Sequence, residues 1–276
     1  MSNLPKGFRG AAIAAGLKSS GALDLTLIVN DGPRFDAAAV YTTNKVVAAP
    51  VIWSREVTKG KLVRAAILNS GGANACTGPQ GFADTHQTAE KVGELLGVSS
   101  GEVVVCSTGL IGELLPMPKI ISGLESISST LKVDSLDEVA RAIMTTDSVP
   151  KVATLNVNGA QFAGIAKGAG MLAPALATML SVVMTDAILP ENAQTIFSRI
   201  TDRTYNRIDS DGCTSTNDTV LLMGSGASGV ALGETELEAA LMEICGSLAA
   251  QLIADAEGSS KTVSFVEVHP SESMRL

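Results

Sequence analysis

The chain has 276 residues, enough for one large core or two small ones. Hydrophobic residues make up 46% and aromatics only 3%, which excludes a disordered chain and requires a core of Ala, Val, Ile, Leu and Met. The net charge of -8 comes with no dense Lys/Arg cluster, so no nucleic-acid partner is expected.

The first ten residues lack the apolar segment of a signal peptide. Residues 24–29 read as a strand, and Asn30-Asp31-Gly32-Pro33 as a turn. Residues 37–42 and 49–53 read as two further strands, separated by the polar Thr42-Thr43-Asn44-Lys45. Another strand, 64–69, runs into Ser70-Gly-Gly-Ala-Asn-Ala75, where paired glycines permit close backbone approach or a sharp turn. Phe82, Thr85, Ala89, Val92 and Leu96 fall at helical spacing.

Residues 102–107 read as a strand that stops at Thr108-Gly109, where backbone N–H groups are available for an oxyanion; a plain strand-to-turn junction has the same signature. Ile120, Leu124, Ile127 and Leu131 mark a helix with Pro118 in its first turn. Ser135-Leu-Asp-Glu138 is a capping-box pattern opening a helix to Met144, which meets Thr145-Thr146-Asp147. Residues 152–157, Asn158-Gly159 and residues 160–166 predict a β-hairpin with a type I′ turn.

That hairpin delivers the chain to Lys167-Gly-Ala-Gly-Met-Leu-Ala-Pro-Ala-Leu-Ala-Thr178, followed by a β-branched run that ends at Asp186. Small uncharged residues in such a run ordinarily form core. Its interruptions by glycine, proline and hydroxyl residues argue against a membrane span. Threonine is a weak nucleophile without a nearby base. A cut between Ala177 and Thr178 would give Thr178 its own α-amino base, the Thr-N-terminus variant of triad chemistry. An α-amino group titrates near 7.7–8.0 and an ordinary lysine near 10.4, so at pH 7 roughly a tenth of the amine is neutral, against well under a thousandth of the lysine. The amine is the better-matched base unless Lys167 is strongly shifted.

Beyond this stretch, Ala193, Ile196, Phe197 and Ile200 mark a helix, and residues 209–218 a polar loop before a strand at 219–223. The loop's Asp spacing is that of a calcium loop without the closing Glu, so no metal is expected. Leu237, Leu241, Ile244, Leu248 and Leu252 stripe a long helix, and residues 262–268 read as a last strand. Cys76, Cys106, Cys213 and Cys245 lack metal-ligand spacing and read as free, buried thiols of a reducing compartment. A Ser-His-Asp enzyme would have to use His86 or His269, the chain's two histidines. The mixture of hairpins and helices indicates α/β or α+β layering rather than a doubly wound sheet.

Several segments, in order, resemble the ornithine acetyltransferase family of arginine biosynthesis: Val40-Tyr-Thr-Thr-Asn-Lys45 with Ala48-Ala-Pro-Val51, Asn69-Ser-Gly-Gly-Ala-Asn-Ala75, Ser107-Thr-Gly-Leu-Ile-Gly112, Thr145-Thr-Asp147 with Lys151, Lys167-Gly-Ala-Gly-Met171 with Ala177-Thr-Met-Leu180, Asp211-Gly with Ser215-Thr-Asn-Asp218, and Glu257-Gly258. The resemblance implies a precursor that cleaves itself between Ala177 and Thr178, giving segments 1–177 and 178–276. It implies that Thr178 takes acetyl from N-acetylornithine and passes it to glutamate, without a cofactor, acetyl-CoA being a possible alternative donor. Thr108 and Gly109 match the family's oxyanion pair. Thr145, Thr146, Lys167, Thr178 and Glu257 match substrate-contacting positions, and no metal is implied.

The implied fold is an α/β, four-layer αββα sandwich with a smaller second α/β domain whose C-terminal part is incomplete here. The implied setting is cytoplasmic, away from membranes, as a heterotetramer of two alpha and two beta chains or larger. Asp255-Ala-Glu-Gly-Ser-Ser departs from the family pattern at Ala256, Ser259 and Ser260, and the family's last third is not matched, which is expected to leave sheet edges uncovered. A related N-terminal-nucleophile aminopeptidase or amidase, and a catalytically silent assembly partner, are the alternative readings.

Overall fold

The computed structural model describes residues 3–171 and 179–265. In chain order these form β1 (Phe8–Ile13), β2 (Leu25–Asn30), β3 (Asp36–Tyr41), α1 (Ala49–Lys59), β4 (Ala65–Gly72), α2 (Gly78–Leu96), β5 (Val103–Leu110), α3 (Met117–Ser128), α4 (Leu136–Ala142), β6 (Lys151–Val157), β7 (Ala160–Lys167), β8 (Leu180–Thr185), α5 (Ala193–Arg203), β9 (Thr219–Gly224) and α6 (Glu234–Ala254). One sheet has the order β1-β2-β4-β5 and the other β3-β9-β8-β7-β6. Among the strands of the described residues, β4/β5 and β8/β9 pair in parallel and the other neighbours antiparallel.

The layering follows from the two-residue period of a strand. In β4 and β5, Ala65, Ile67, Val103 and Val105 face an outer core with α2 and α3. Their neighbours Ala66, Leu68, Val104 and Cys106 face inward, against Val182, Met184, Leu221 and Met223 of the second sheet. On that sheet's far face, Val183, Val220 and Leu222 pack with α5 and α6. Strands buried on both faces read as continuous apolar runs, as β8 and β9 do. The result is the αββα sandwich. α6 is long and apolar enough to cross a membrane by length alone, yet Leu237, Leu241, Ile244, Leu248 and Leu252 pack it onto the second sheet.

Each outer strand has one residue whose main-chain N–H and C=O are both taken by a neighbour. Ser54 of α1 bonds Val105 O at 2.8 Å and accepts Val105 N–H at 3.0 Å, covering β5. Gln194 of α5 does the same for Ala39 of β3, at 3.0 Å both ways. Gln251 of α6 covers Val152 of β6, at 3.1 and 3.0 Å. Lys132 pairs with Gly10 of β1 through main-chain bonds of 2.9 and 3.0 Å. Each outer strand is thus met at one position by a side chain or segment of this chain.

The structure corrects four sequence expectations. Residues 49–53 open helix α1 instead of a strand: Pro50 suits a first helical turn, and Ala49, Val51, Ser54 and Val57 form its buried side. β1 was not anticipated. Its Gly10 is needed because a Cβ there would lie 2.8 Å from Ser135 Oγ, where α4 approaches. The capping box at Ser135 does not form: its hydroxyl donates to Lys132 O at 3.1 Å, and Glu138 pairs with Lys132 Nζ at 2.6 Å. The final strand is not present over 262–265, and 266–268 lie outside the described residues. The hairpin is as expected, with Asn158 at φ 53° and Gly159 at φ 91°.

Removing an edge cover leaves two part-buried main-chain groups unpaired. Gln194→Ala is expected to cost about 1–3 kcal/mol in urea unfolding; a change within experimental error would show that the edge bonds contribute nothing.

Candidate active site

The ends of β5 and β7 bring the two sheets' chemistry together. Lys167 closes β7, is 1% exposed, and pairs in register with Leu180, the first residue of β8. Its Nζ donates to Thr108 Oγ1 at 3.2 Å. Thr108 and Gly109 lie within β5, which ends at Leu110, three residues beyond the strand expected over 102–107. Gly109 has φ 129°, and a Cβ there would stand 2.6 Å from Gly71 C, so only glycine fits against the irregular Gly71-Gly72 end of β4.

Polar side chains fix this junction. Asn69 donates to Gly72 O at 3.0 Å and accepts from Ser107 Oγ at 2.6 Å. Asn217 donates to Ala73 O at 2.5 Å and Ser107 O at 2.8 Å, tying the ends of β4 and β5 to the segment that opens β9.

Behind Lys167 lies a buried ion network. Lys151 Nζ donates to Asp147 Oδ1 at 2.7 Å and to Asp255 Oδ2 at 2.6 Å. Asp147 also accepts the N–H of Gly168 at 2.6 Å and of Thr145 at 3.0 Å. Burial pushes the Asp147 carboxyl up, but the Lys167 charge, Lys151 and the two N–H donors outweigh it and hold it below the ordinary range. Burial lowers Lys167 to about 8, although Asp147 and Asp218 oppose the shift. Lys167 therefore titrates in the range of an α-amino group, and pKa alone no longer separates the two candidate bases.

The other expected substrate positions are less enclosed. Thr145 and Thr146 are exposed beside buried Asp147. Glu257 is exposed; its N–H donates to Ala169 O at 2.7 Å, and its Oε2 lies 2.9 Å from where a Cβ of Gly170 would stand. A cavity of about 690 Å³ opens next to it, lined in part by Arg207, Asp209, Glu257 and Phe265. Ala177 and Thr178 lie outside the described residues.

Their flanks are described, and the polar loop 209–218 grips both. Asp211 Oδ2 accepts the N–H of Met171 at 2.6 Å, and Asp218 Oδ1 accepts that of Met179 at 2.8 Å. Asp209 and Asp211 also accept main-chain N–H groups inside the loop, so its carboxylates are engaged as turn and chain anchors. Among the described residues no group of side chains is arranged to hold a metal ion.

Sequence reasoning singled out Lys167, Thr108 and Gly109, which the fold brings together, but gave no role to Asn69, Asp147, Lys151, Asn217 or Asp218. The available signal was polar residues at the ends of apolar strands and an Asp/Lys pair four apart. His86 sits on α2 with its ring 5.0 Å from that of Trp53, in the helical layer outside the first sheet. His269 is outside the described residues. Cys106 and Cys245 are buried as expected, whereas Cys76 and Cys213 are exposed.

The Lys167 shift carries a sign. Its folded pKa lies below its ordinary value, so between about pH 8 and its unfolded pKa the unfolded chain binds more protons, and stability rises with pH. Lys167→Met should flatten that rise in urea unfolding; an unchanged slope would contradict the burial of this charge. Lys151→Met, which strands Asp147 and Asp255, should cost about 3–5 kcal/mol at pH 7, and a loss below about 1 kcal/mol would mean that the network is not formed.

A profile of the ArgJ family matches residues 9–275. The chain is 52% identical over 262 residues to the arginine biosynthesis bifunctional protein ArgJ of Thermobifida fusca, covering 95% of this chain and 68% of that protein. It is 54% identical over 259 residues to the protein of the same name from Streptomyces coelicolor, covering 94% and 68%. Among solved structures, the ornithine acetyltransferase of Mycobacterium tuberculosis complexed with ornithine superposes with a TM-score of 0.55 at 48% identity, over 62% of this chain and 92% of that one. The L-aminopeptidase D-Ala-esterase/amidase of Ochrobactrum anthropi shares the fold with a TM-score of 0.51 at 10% identity, over 94% and 90%. The match along nearly the whole sequence and the identity to its relatives place this chain in the ArgJ family.

Proposed function

We propose that this chain is an acetyltransferase of arginine biosynthesis that moves acetyl from N-acetylornithine to glutamate through an acetyl-Thr178 intermediate. The observation that carries the reading is the 3.2 Å contact between Lys167 Nζ and Thr108 Oγ1. It sets a cation and the Thr108-Gly109 pair at the ends of β7 and β5, beside the strand that Thr178 leads into.

In this reading the chain cuts itself between Ala177 and Thr178, giving segments 1–177 and 178–276. Thr178 Oγ then attacks the acetyl carbonyl, its proton passing to the new α-amine. Donors at Thr108 and Gly109 stabilise the oxyanion, each by about 3–4 kcal/mol in the transition state. At neutral pH, Lys167 is mostly protonated and serves as a point charge for a substrate carboxylate. Thr145, Thr146 and the exposed Glu257 complete the contacts to a small zwitterionic substrate. Transfer from amine to amine through a threonine ester is nearly thermoneutral overall, so no cofactor is called for, and acetyl-CoA would serve only as an alternative donor. A cytoplasmic assembly of two alpha and two beta segments, or larger, completes the proposal.

Supporting the cut, the solved M. tuberculosis chain is matched over 92% of its length by only 62% of this chain. For the Bacillus halodurans ArgJ structure the shares are 93% and 63%. Both are close to the share that residues 1–177 make up of 276.

Intact mass under denaturing conditions tests the reading. Two chains, 1–177 and 178–276, are expected, with one acetyl group added to the second after incubation with N-acetylornithine. Thr178→Ala should remain one chain. A wild-type protein that stays uncut, or a cut one that releases acetate without transferring it to glutamate, would overturn the transferase reading.

A further inference from the structure

Asn217 belongs to the polar loop and is 3% exposed, yet its amide donates away from the loop, to the ends of β4 and β5. What it meets there is decided by the outer edge of β5, the last strand of the first sheet. Successive residues of a strand turn their main-chain N–H and C=O to opposite edges, so every second residue of β5 faces away from β4. Val103 is the first, and its O accepts Trp53 Nε1–H at 3.0 Å. Val105 is the second, bonded both ways by Ser54. Ser107 is the third, and its O accepts the Asn217 amide at 2.8 Å. The next position on this edge is Gly109.

The residues between them face β4. Leu110 O accepts the N–H of Ala73 at 2.8 Å. Ala73 O in turn accepts from the Asn217 amide at 2.5 Å. One side chain therefore brackets Gly109, through Ser107 two residues before it and through Ala73 to Leu110 one residue after it. The Ser107 carbonyl shares a planar peptide unit with the Thr108 N–H, so fixing one fixes the direction of the other. The Asn217 amide oxygen is taken by Thr216 Oγ1 at 2.5 Å, which leaves the NH₂ end for the strand.

We propose, resting on the transferase reading above, that Asn217 is a positioning residue for the oxyanion pair Thr108-Gly109. It holds the end of β5 so that the Gly109 N–H stays aimed at the oxygen that becomes negative when an acetyl carbonyl is attacked. A donor fixed in advance needs no reorganisation during reaction, and a misplacement of about 1 Å costs on the order of 10²-fold in rate. Gly109 cannot be fixed by a side chain of its own, because a Cβ would stand 2.6 Å from Gly71 C. The neighbouring Asp218 accepts the N–H of Met179 at 2.8 Å, just before β8. Two adjacent side chains thus set the end of β5 in the first sheet against the start of β8 in the second.

The test compares Asn217→Ala with the wild-type protein in steady-state transfer from N-acetylornithine to glutamate, with kcat taken per cut chain as counted by intact mass. An oxyanion donor acts on the transition state and not on bound substrate. The variant's kcat should therefore fall roughly 10²-fold, with KM for both substrates unchanged. Ser54→Ala opens the same edge two residues earlier and should leave kcat unchanged. Beside Thr108→Val, the Asn217→Ala loss should shrink, because both substitutions act on one pair of donors. Asn217→Ser, which keeps one donor, takes the place of the alanine variant if that protein is not folded and cut, with a smaller loss of kcat at the same KM. A wild-type kcat in the Asn217 variant, a change confined to KM, an equal loss in Ser54→Ala, or losses that multiply with Thr108→Val overturns the role of Asn217 while the transferase reading stands. A wild-type protein that transfers no acetyl overturns both.

Discussion

Two lysines are buried where the ends of the sheets meet, and charges taken out of water must be matched or neutralised. Lys151 is matched outright, with a carboxylate at 2.7 Å on one side and at 2.6 Å on the other. Lys167 is 1% exposed and its pKa is lowered to about 8. Much of the local architecture follows from these two buried charges. Asp147 gathers Lys151, Gly168 and Thr145 around one carboxylate, so the start of the Lys167-to-Met171 segment is fixed by the network that neutralises Lys151. Asp255 caps the end of α6 and carries the chain to Glu257, whose N–H returns to Ala169.

The sandwich supplies the rigidity this requires. Its inner core joins residues of both sheets with Leu136, Val139 and Ala140 of α4 and Ile143 just after it at one side, and Val57 of α1 at the other. Ser54, Gln194, Gln251 and Lys132 each pair with one residue of an outer strand. The positions where the strands deliver chemistry are the ends of β5 and β7 and the start of β8, and the Asn217 side chain bridges β4 and β5 there. A site on strand ends inherits the precision of the sheets, whereas residues such as Thr145, Thr146 and Glu257 sit on connecting segments and are exposed.

Much of this was legible in the sequence where a local rule decided it. The Asn158-Gly159 turn demands positive φ at both positions and shows it. The apolar run of β9 and the stripe of α6 declared themselves by period and length, whereas the β-branched run that holds β8 was read only as core. The expectation failed where distant contacts decide. Val51 and Ile52 look like strand residues, yet the α1 they belong to covers the edge of β5 through Ser54. Gly10 weakens the pattern of β1 because α4 needs the space. The grip of Asp218 on Met179 was hidden for the same reason, since it forms only where β8 and β9 lie side by side; Asp147 has Thr145 and Lys151 close in sequence, but its bond to Gly168 comes from 21 residues away. The pKa argument that favoured the α-amine over Lys167 depended on an ordinary lysine, and burial removed that condition.

Initial-rate kinetics test the central claim, a covalent acetyl-threonine between two amine substrates, most directly. N-acetylornithine and glutamate would be varied together against the purified protein. A covalent intermediate formed before glutamate binds predicts parallel lines in double-reciprocal plots. Intersecting lines would mean that both substrates must be bound before transfer, and would contradict a mechanism in which Thr178 carries the acetyl group alone.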